Sequence, residues 1–323
     1  MERDIFSLFQ LNINDRNISQ GCDPLGGTNM NTLLFPHNMQ KALHLKDALS
    51  KKTSKIAGNY IATIKKDGWY ALADFHPELG WSPIYSSSGR AIPAWNHLVE
   101  RLEKDFNPGF PCRMIWEAII PDTPFHKLNG IFNRKNEQAE GTVLLLHDCI
   151  HFGKGTQGFW TPAQMRIQLC KQLKLPSCIE HIPYLGTSAK QSDWENWFQS
   201  AVDNGEEGIV LMQENSCYAS GKRNETLLKL KCEVEADLLC IGLENSIGKK
   251  GEPALNAKLR SSDGTIITVV IPKDSDVARF KRDPSLIVGN VVKILAMKKL
   301  ETGAYREPKF YCVREDKTEA DID

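Results

Sequence analysis

Residues 59–68 read Asn59-Tyr60-Ile61-Ala62-Thr63-Ile64-Lys65-Lys66-Asp67-Gly68. Tyr60, Ala62 and Ile64 alternate with Ile61 and Thr63 in a mostly apolar run, which predicts a partly buried strand. The run stops at Lys65-Lys66-Asp67-Gly68, a charged turn in which Asp-Gly is chemically at home because Gly takes backbone conformations closed to other residues. A surface turn also favours Asp-Gly, so the meaning of the lysine depends on what surrounds it.

Outward from that turn the periodicity alternates between helix and strand. Trp95, Leu98, Val99, Leu102 and Phe106 fall at helical spacing, with Glu100, Arg101, Lys104 and Asp105 on other faces. Residues 142–150 form a short apolar run suited to a strand covered on both faces. Thr161-Pro162 predicts a helix start continued by Met165, Leu169 and Leu173. Ser192 and Glu195 read as a capping box for a helix with Trp194, Trp197, Phe198, Ala201 and Val202 on its apolar stripe and Gly205 at its end. Glu207-Gly208-Ile209-Val210-Leu211 then starts another strand.

After Lys231 the texture changes to short strands at 238–243, 257–259, 265–271, 291–297 and 309–313, with a hairpin turn at Ser262-Asp263-Gly264. Such spacing over about eighty residues predicts a small Greek-key barrel. The expected organisation is an Asn-rich lead-in over 1–40 belonging to or packed on the core, a mixed core over 41–234, a barrel over 235–317 and an acidic, mobile tail over 318–323.

Composition bounds the class. The 323 residues carry 41% hydrophobic and 25% charged side chains, the balance of a folded globular chain with room for two domains. No window approaches 18 apolar residues, and Met1-Glu2-Arg3-Asp4 lacks the layout of a signal peptide, so neither a membrane span nor secretion is expected. The 9 Cys include no Cys-x-x-Cys pair, which argues against a zinc knuckle or a disulfide framework and for reduced thiols in a cytoplasm. With 40 Lys+Arg against 40 Asp+Glu, any binding of a polyanion must come from a local basic face.

Several residues stand out chemically. A lysine amine with a solution pKa of about 10.4 becomes a nucleophile only when burial or neighbouring cations disfavour its ammonium form. Lys65 follows an apolar strand, and Lys229 and Lys231 alternate along Leu228-Lys229-Leu230-Lys231, on one face of a strand that could supply those cations. Glu117 stands alone inside the apolar run Ile115–Ile120, where an acid is costly unless bonded. Arg90 follows Ser86-Ser87-Ser88-Gly89, a loop able to approach a phosphate. His147 precedes Asp148 in an apolar strand.

Taken together, Lys65-x-Asp67-Gly68, Ser86–Arg90, Ile115-Trp116-Glu117, His147-Asp148, Glu206–Val210 and Leu228–Lys231 match in order and spacing as well as type. The series resembles the covalent nucleotidyltransferase superfamily and, within it, the ATP-dependent DNA ligases of the small phage and viral type, from about residue 59 to 317. The ending Arg306-x-Pro308-x-Phe310 followed by Arg314-x-Asp316-Lys317 resembles the closing segment of that family. The resemblance implies an α+β nucleotidyltransferase core of antiparallel sheets and helices followed by an OB-fold β-barrel. It implies ATP and Mg²⁺ as cofactors, nicked duplex DNA as partner, and no membrane; a monomer is the default expectation.

Carried over residue by residue, the resemblance makes Lys65 the nucleophile that takes AMP, with Lys229 and Lys231 at the α-phosphate. It puts Thr63, Ile64 and His147 around the adenine, Glu117 on the ribose, Glu207 near the metal and Arg90 on a phosphate. Arg314 and Lys317 would orient the pyrophosphate leaving group in the first step. Two positions depart from the pattern. Tyr70 stands where the family usually has Arg, and Thr63 replaces an acid that many relatives use to read the adenine amino group. Lys41, Lys46, Lys51, Lys52, Lys55, Lys249, Lys250, Arg279, Lys281 and Arg282 are candidate contacts to a duplex backbone. The rival readings are an RNA ligase or capping-type guanylyltransferase of the same superfamily, and a non-catalytic nucleic-acid binder with a degenerate core.

Overall fold

Residues 39–51, 55–152, 160–248 and 251–323 are described by the computed structural model. The lead-in to residue 38, Cys22, Lys52, Lys249 and Lys250 lie outside the described residues. The chain divides between Leu230 and Lys231 into two units. In chain order the first carries β1 (Leu43–His44), α1 (Leu45–Leu49), β2 (Tyr60–Lys65), β3 (Trp69–His76), β4 (Gly80–Trp81), β5 (Tyr85–Ser86), α2 (Asn96–Asp105) and β6 (Cys112–Ile119). It continues with α3 (Phe125–Phe132), β7 (Val143–His151), α4 (Ala163–Gln172), β8 (Ile179–His181), β9 (Tyr184–Ser188), α5 (Gln191–Asp203), β10 (Gly208–Gln213) and β11 (Leu227–Lys231).

Two sheets result. One has the order β1-β11-β10-β2-β9, the other β4-β3-β6-β7-β8 with β5 also on β3. The chain passes from the first sheet to the second through Lys66-Asp67-Gly68, so the charged turn lies where the two sheets exchange the chain.

β2 is covered on both faces. Tyr60, Ala62 and Ile64 pack with Trp194, Ala201, Ile209, Leu211 and Leu228, while Ile61 packs with Ala163 and Ile167 from α4. Full burial of an aliphatic or aromatic side chain of this kind contributes roughly 1.5–3 kcal/mol, so β2 is held from two directions and its C-terminal lysine is placed by rigid neighbours. In the second sheet Trp95, Leu98 and Leu102, from α2 and the turn before it, join Trp116, Leu144 and Leu146. Two buried ion pairs stiffen this sheet. Arg113 donates to Asp74 Oδ1 at 2.7 Å and Oδ2 at 2.9 Å, and Arg166 Nε lies 2.9 Å from Asp148 Oδ1.

The boundaries of the expected elements shift in instructive ways. α5 begins at Gln191 with Lys190 as its N-cap and no side-chain cap bond, so Ser192 lies inside the helix and the expected capping box is absent. Ser188 instead accepts from Lys190 N at 3.0 Å and donates to Asp193 Oδ2 at 2.5 Å, tying the helix start to the end of β9. Pro162 is itself the N-cap of α4. Helix α3 was not anticipated; it buries only Leu128 and Phe132 and contains Asn129 and Gly130.

The second unit carries β12 (Val234–Ile247), β13 (Pro253–Arg260), β14 (Ile266–Val270), α6 (Asp274–Arg282), β15 (Val291–Ala296), β16 (Lys298–Lys299), β17 (Tyr305–Arg306) and β18 (Lys309–Arg314). Five of these strands form an antiparallel sheet in the order β14-β13-β12-β15-β18. Among the described residues no ladder joins β14 to β18, so closure of a barrel by strand pairing is not seen. The turn at 262–264 is present: Gly264 has φ 83°, and Asp263 Oδ1 accepts from Ser261 Oγ at 2.6 Å and from Thr265 N at 2.8 Å. The acidic tail is tied down. Thr318 and Asp321 form a capping box, and Asp323 N donates to Asp237 O at 2.9 Å.

Candidate functional site

The β2–β10 ladder places Lys65 opposite Gly208. Glu207 therefore precedes the strand at the level of the lysine, and Lys65 Nζ lies 2.5 Å from Glu207 Oε2, with side chains 23% and 9% exposed. The neighbouring pair repeats the pattern, Lys66 with Glu206. Glu206 thus has a partner in the turn.

Gly68 completes the turn for a steric reason. A Cβ there would sit 2.6 Å from Ala118 O and 2.8 Å from Glu117 Cγ, so the turn closes on β6 only without a side chain. Its N–H donates to Glu117 Oε1 at 3.1 Å. The isolated acid of the apolar run is thereby bonded, as its burial requires.

Electrostatics separate this carboxylate from ordinary ones. Burial pushes the Glu117 carboxyl up to about 7, with Lys65 and the Gly68 N–H pulling down and Glu207 and Asp67 pushing up. His147 Nε2 is 3.9 Å from Glu117 Oε2. Burial, then the charge of Lys65, lowers His147 to about 4, so the imidazole is neutral near pH 7 and the contact is not an ion pair.

Beside these groups lies a cleft of about 310 Å³, lined by Thr63, Leu146, His147, Lys171, His181, Pro183 and Tyr184 among others. Thr63 and His147 thus share one cleft. Ile64 does not point there: it belongs to the apolar core, and its N–H donates to Pro183 O at 3.0 Å. Sequence reasoning missed Lys171, whose Nζ stands 3.7 Å over the Tyr184 ring. Nothing in the spacing of α4 or β9 signals that pairing.

Arg90 lies in the loop after β5, where Gly89 has φ 76° and Ser86 N donates to Arg90 O at 2.9 Å. Its Nη2 donates to Asn133 Oδ1 at 2.6 Å. Ser86, Ser87, Ser88 and Arg90 line a second cleft of about 310 Å³ with Trp69, Tyr70, Phe125 and Asn129. Tyr70, in place of the family's arginine, packs beside Leu72, Ile115, Ile150, Phe152 and Tyr218. Burial, then the neighbouring Tyr218, pushes its phenol well above the usual range, so it supplies no charge.

The group in contact with Lys65 is an anion and not the pair of cations expected from Leu228–Lys231. Lys229 is on β11, opposite His44 of β1, with β10 between it and β2. That is two strand spacings, roughly 10 Å. Lys231 belongs to the second unit, where its Nζ lies 3.2 Å from Glu307 Oε2. Arg314 and Lys317 also lie there, both on Asp237 at 3.2 and 2.7 Å.

The donor set can be tested against the implied ion. Among the described residues no group of three or more His, Cys, Asp and Glu is arranged to hold a metal. Mg²⁺ asks for less, since it keeps waters and substrate phosphates and takes one or two carboxylates. Glu207, whose 9% exposed carboxylate lies beside Lys65, fits that requirement.

Two mainly antiparallel sheets, each with one parallel pair at an edge (β1–β11 and β7–β8), exchanging the chain at a lysine paired with a half-buried carboxylate define the nucleotidyltransferase class of fold. Residues 41–231 match the model of the ATP dependent DNA ligase domain, and the chain belongs to that family. It is similar to a DNA ligase of Natronomonas pharaonis, 27% identical over 260 residues that cover 70% of this chain and 46% of the relative. A DNA ligase of Haloarcula marismortui is 26% identical over 68% of this chain and 45% of its own. The chain thus spans about half the length of these curated relatives. A solved structure from work on DNA binding by Lig E DNA ligases shares the fold with a TM-score of 0.66 at 18% identity, over 87% of this chain and all of that one.

Proposed function

We propose that this protein is an ATP-dependent polydeoxyribonucleotide ligase that seals 5′-phosphate/3′-hydroxyl nicks in duplex DNA. The carrying observation is the placement of Lys65 against Glu207, beside a half-buried Glu117 and a cleft shared by Thr63 and His147. In the first step Lys65 Nζ attacks the α-phosphorus of ATP. The ammonium first gives one proton to solvent, the freed lone pair forms the nitrogen–phosphorus bond, the bond to the bridging oxygen of the β-phosphate breaks, pyrophosphate leaves with that electron pair, and the nitrogen gives up a second proton and keeps one. AMP then moves to the 5′-phosphate of the nick, and attack by the 3′-hydroxyl expels it.

Each chain residue has a part. Glu117 accepts from the ribose, the neutral His147 ring stacks on the adenine, and Thr63 meets its edge. Lys229 and Lys231 meet the α-phosphate, Arg90 a DNA phosphate, and Arg314 and Lys317 the pyrophosphate. Glu207 would hold Mg²⁺, which supplies charge neutralisation at the phosphates. The protein works as a monomer on nicked duplex DNA in the cytoplasm; the eight described cysteines are free, in keeping with a reducing compartment.

Intact mass after incubation with ATP and Mg²⁺ tests the proposal. The protein should gain one adenylate, and Lys65→Ala should gain none. Retention of GMP from GTP but not AMP from ATP would reject the ligase in favour of a capping-type enzyme, and full activity of Lys65→Ala would leave only a binder.

A further inference from the structure

Arg314 and Lys317 are three residues apart at the end of β18, yet both cations converge on a single oxygen. Arg314 Nη1 lies 3.2 Å from Asp237 Oδ2 and Lys317 Nζ lies 2.7 Å from the same atom. The remaining face of the guanidinium is filled by Asp316, whose Oδ1 accepts from Nε at 2.8 Å and Oδ2 from Nη2 at 2.6 Å. Asp237 is buried on β12, opposite Lys293 of β15. Its backbone is clamped by the chain end: Asp237 N donates to Asp323 Oδ2 at 2.6 Å, and Asp323 N returns a bond to Asp237 O at 2.9 Å. Ser262 N holds Asp323 O at 2.8 Å. The carboxylate is therefore fixed by strand and tail, while its two cations sit on the more open side, 20% and 31% exposed.

Two like charges brought this close repel unless an anion lies between them. A rigid carboxylate holds them at the spacing that bridges one anionic oxygen, which is also the spacing needed to grip an oxygen of a polyphosphate. Without it Arg314 would be held by Asp316 alone and Lys317 would splay into solvent, and the pair would have to be gathered on meeting the ligand at an entropic cost. We propose that Asp237 is a positioning residue that gathers Arg314 and Lys317 into a preformed pair for the pyrophosphate of ATP. The proposal rests on the ligase reading above, in which those two cations serve the first step.

The test uses the full chain. Asp237→Asn should raise the KM for ATP in single-turnover adenylation about 10-fold, while sealing of nicked DNA by protein already carrying AMP stays within about twofold of wild type. Asp237→Glu, which keeps the charge but displaces it by one methylene, should fall between. Binding of inorganic pyrophosphate to the resting protein should weaken by a similar factor, and a Lys317→Ala background should remove most of that effect, because the two residues act as one unit. Equal losses in adenylation and in sealing would assign Asp237 a structural role and overturn the proposal, as would an unchanged KM. If Asp237→Asn does not fold, Asp237→Glu carries the same comparison of the two steps. Should wild-type protein take up no AMP at all, the ligase reading fails. The pyrophosphate titration still decides for or against Asp237.

Discussion

Lys65 Nζ and Glu207 Oε2 meet at 2.5 Å across a ladder in which the lysine faces Gly208. The acid is thus the nearest charged partner of the proposed nucleophile, and it precedes a strand that cannot shift without breaking six paired positions. Removing it takes away both that partner and the carboxylate suited to Mg²⁺. Glu207→Ala is expected to slow adenylation by roughly 10²-fold or more at saturating ATP. A rate unchanged at all Mg²⁺ concentrations would remove Glu207 from the site.

Gly68→Ala probes the turn by volume alone. The added methyl would lie 2.6 Å from a backbone oxygen of β6 and 2.8 Å from Glu117 Cγ, and backbone gives way poorly. A destabilisation of about 1–3 kcal/mol is expected, the usual cost of overpacking. Because the same shift breaks the bond from Gly68 N to Glu117, the KM for ATP should rise as well. Denaturant unfolding and single-turnover adenylation measure the two effects separately.

Glu117 gives a pH dependence with a defined sign. Its carboxyl is raised from 4.5 to about 7 by burial, against the opposing pull of Lys65. Between those values the folded state binds more protons than the unfolded one. The stabilisation is therefore complete below about 4.5 and disappears as pH rises through about 7. Wild type should lose stability from pH 5 to pH 8 relative to Glu117→Gln, measured by denaturant titration at each pH. Lys65→Ala, which deletes the main opposing charge, should move the midpoint higher.

Much of this was legible in the sequence because two periodicities and one turn carried it. The alternation at 60–64 ends at a turn whose glycine is dictated by its closeness to β6, and the stripe at 95–106 is the helix that fills the core of the second sheet. Other features depend on tertiary neighbours. α6 buries only Phe280 and so shows almost no apolar face. The start of α5 is governed by Ser188, a residue outside the helix, which sequence spacing reads as belonging to the strand. Lys229 and Lys231 do lie on one strand, but β10 intervenes before Lys65, and strand order cannot be read from alternation. Asp237 is silent in sequence because its two partners lie about eighty residues away.

His147 is held neutral, at about 4, by burial and by Lys65. A neutral ring stacks on a base without demanding a counter-charge, and an aromatic hydrocarbon of similar size should do as well or better. His147→Phe is expected to keep or improve the KM for ATP, whereas His147→Ala should raise it by the equivalent of about 1–3 kcal/mol, the range for loss of one base–aromatic stack. If both variants fail alike, the imidazole nitrogens matter and the stacking role is wrong.

Arg90 and Asn133 offer a reading of DNA contact that is independent of chemistry on ATP. Arg90 is exposed at the rim of the serine-lined cleft, and its Nη2 donates to a neutral group, Asn133 Oδ1, at 2.6 Å. An amide aims the guanidinium without cancelling its charge. A phosphate neutralised by Arg90 releases about one counterion, so the slope of log K against log salt for nicked duplex should fall by roughly 1 in Arg90→Ala. Asn133→Ala leaves the charge in place and frees its direction. It should weaken binding less, with the slope nearly unchanged, because the cost is the ordering of one long side chain and not the loss of an ion contact. Adenylation by ATP alone should be untouched in both variants. An unaltered slope in Arg90→Ala would take the arginine off the DNA and leave its loop as a wall of the cleft.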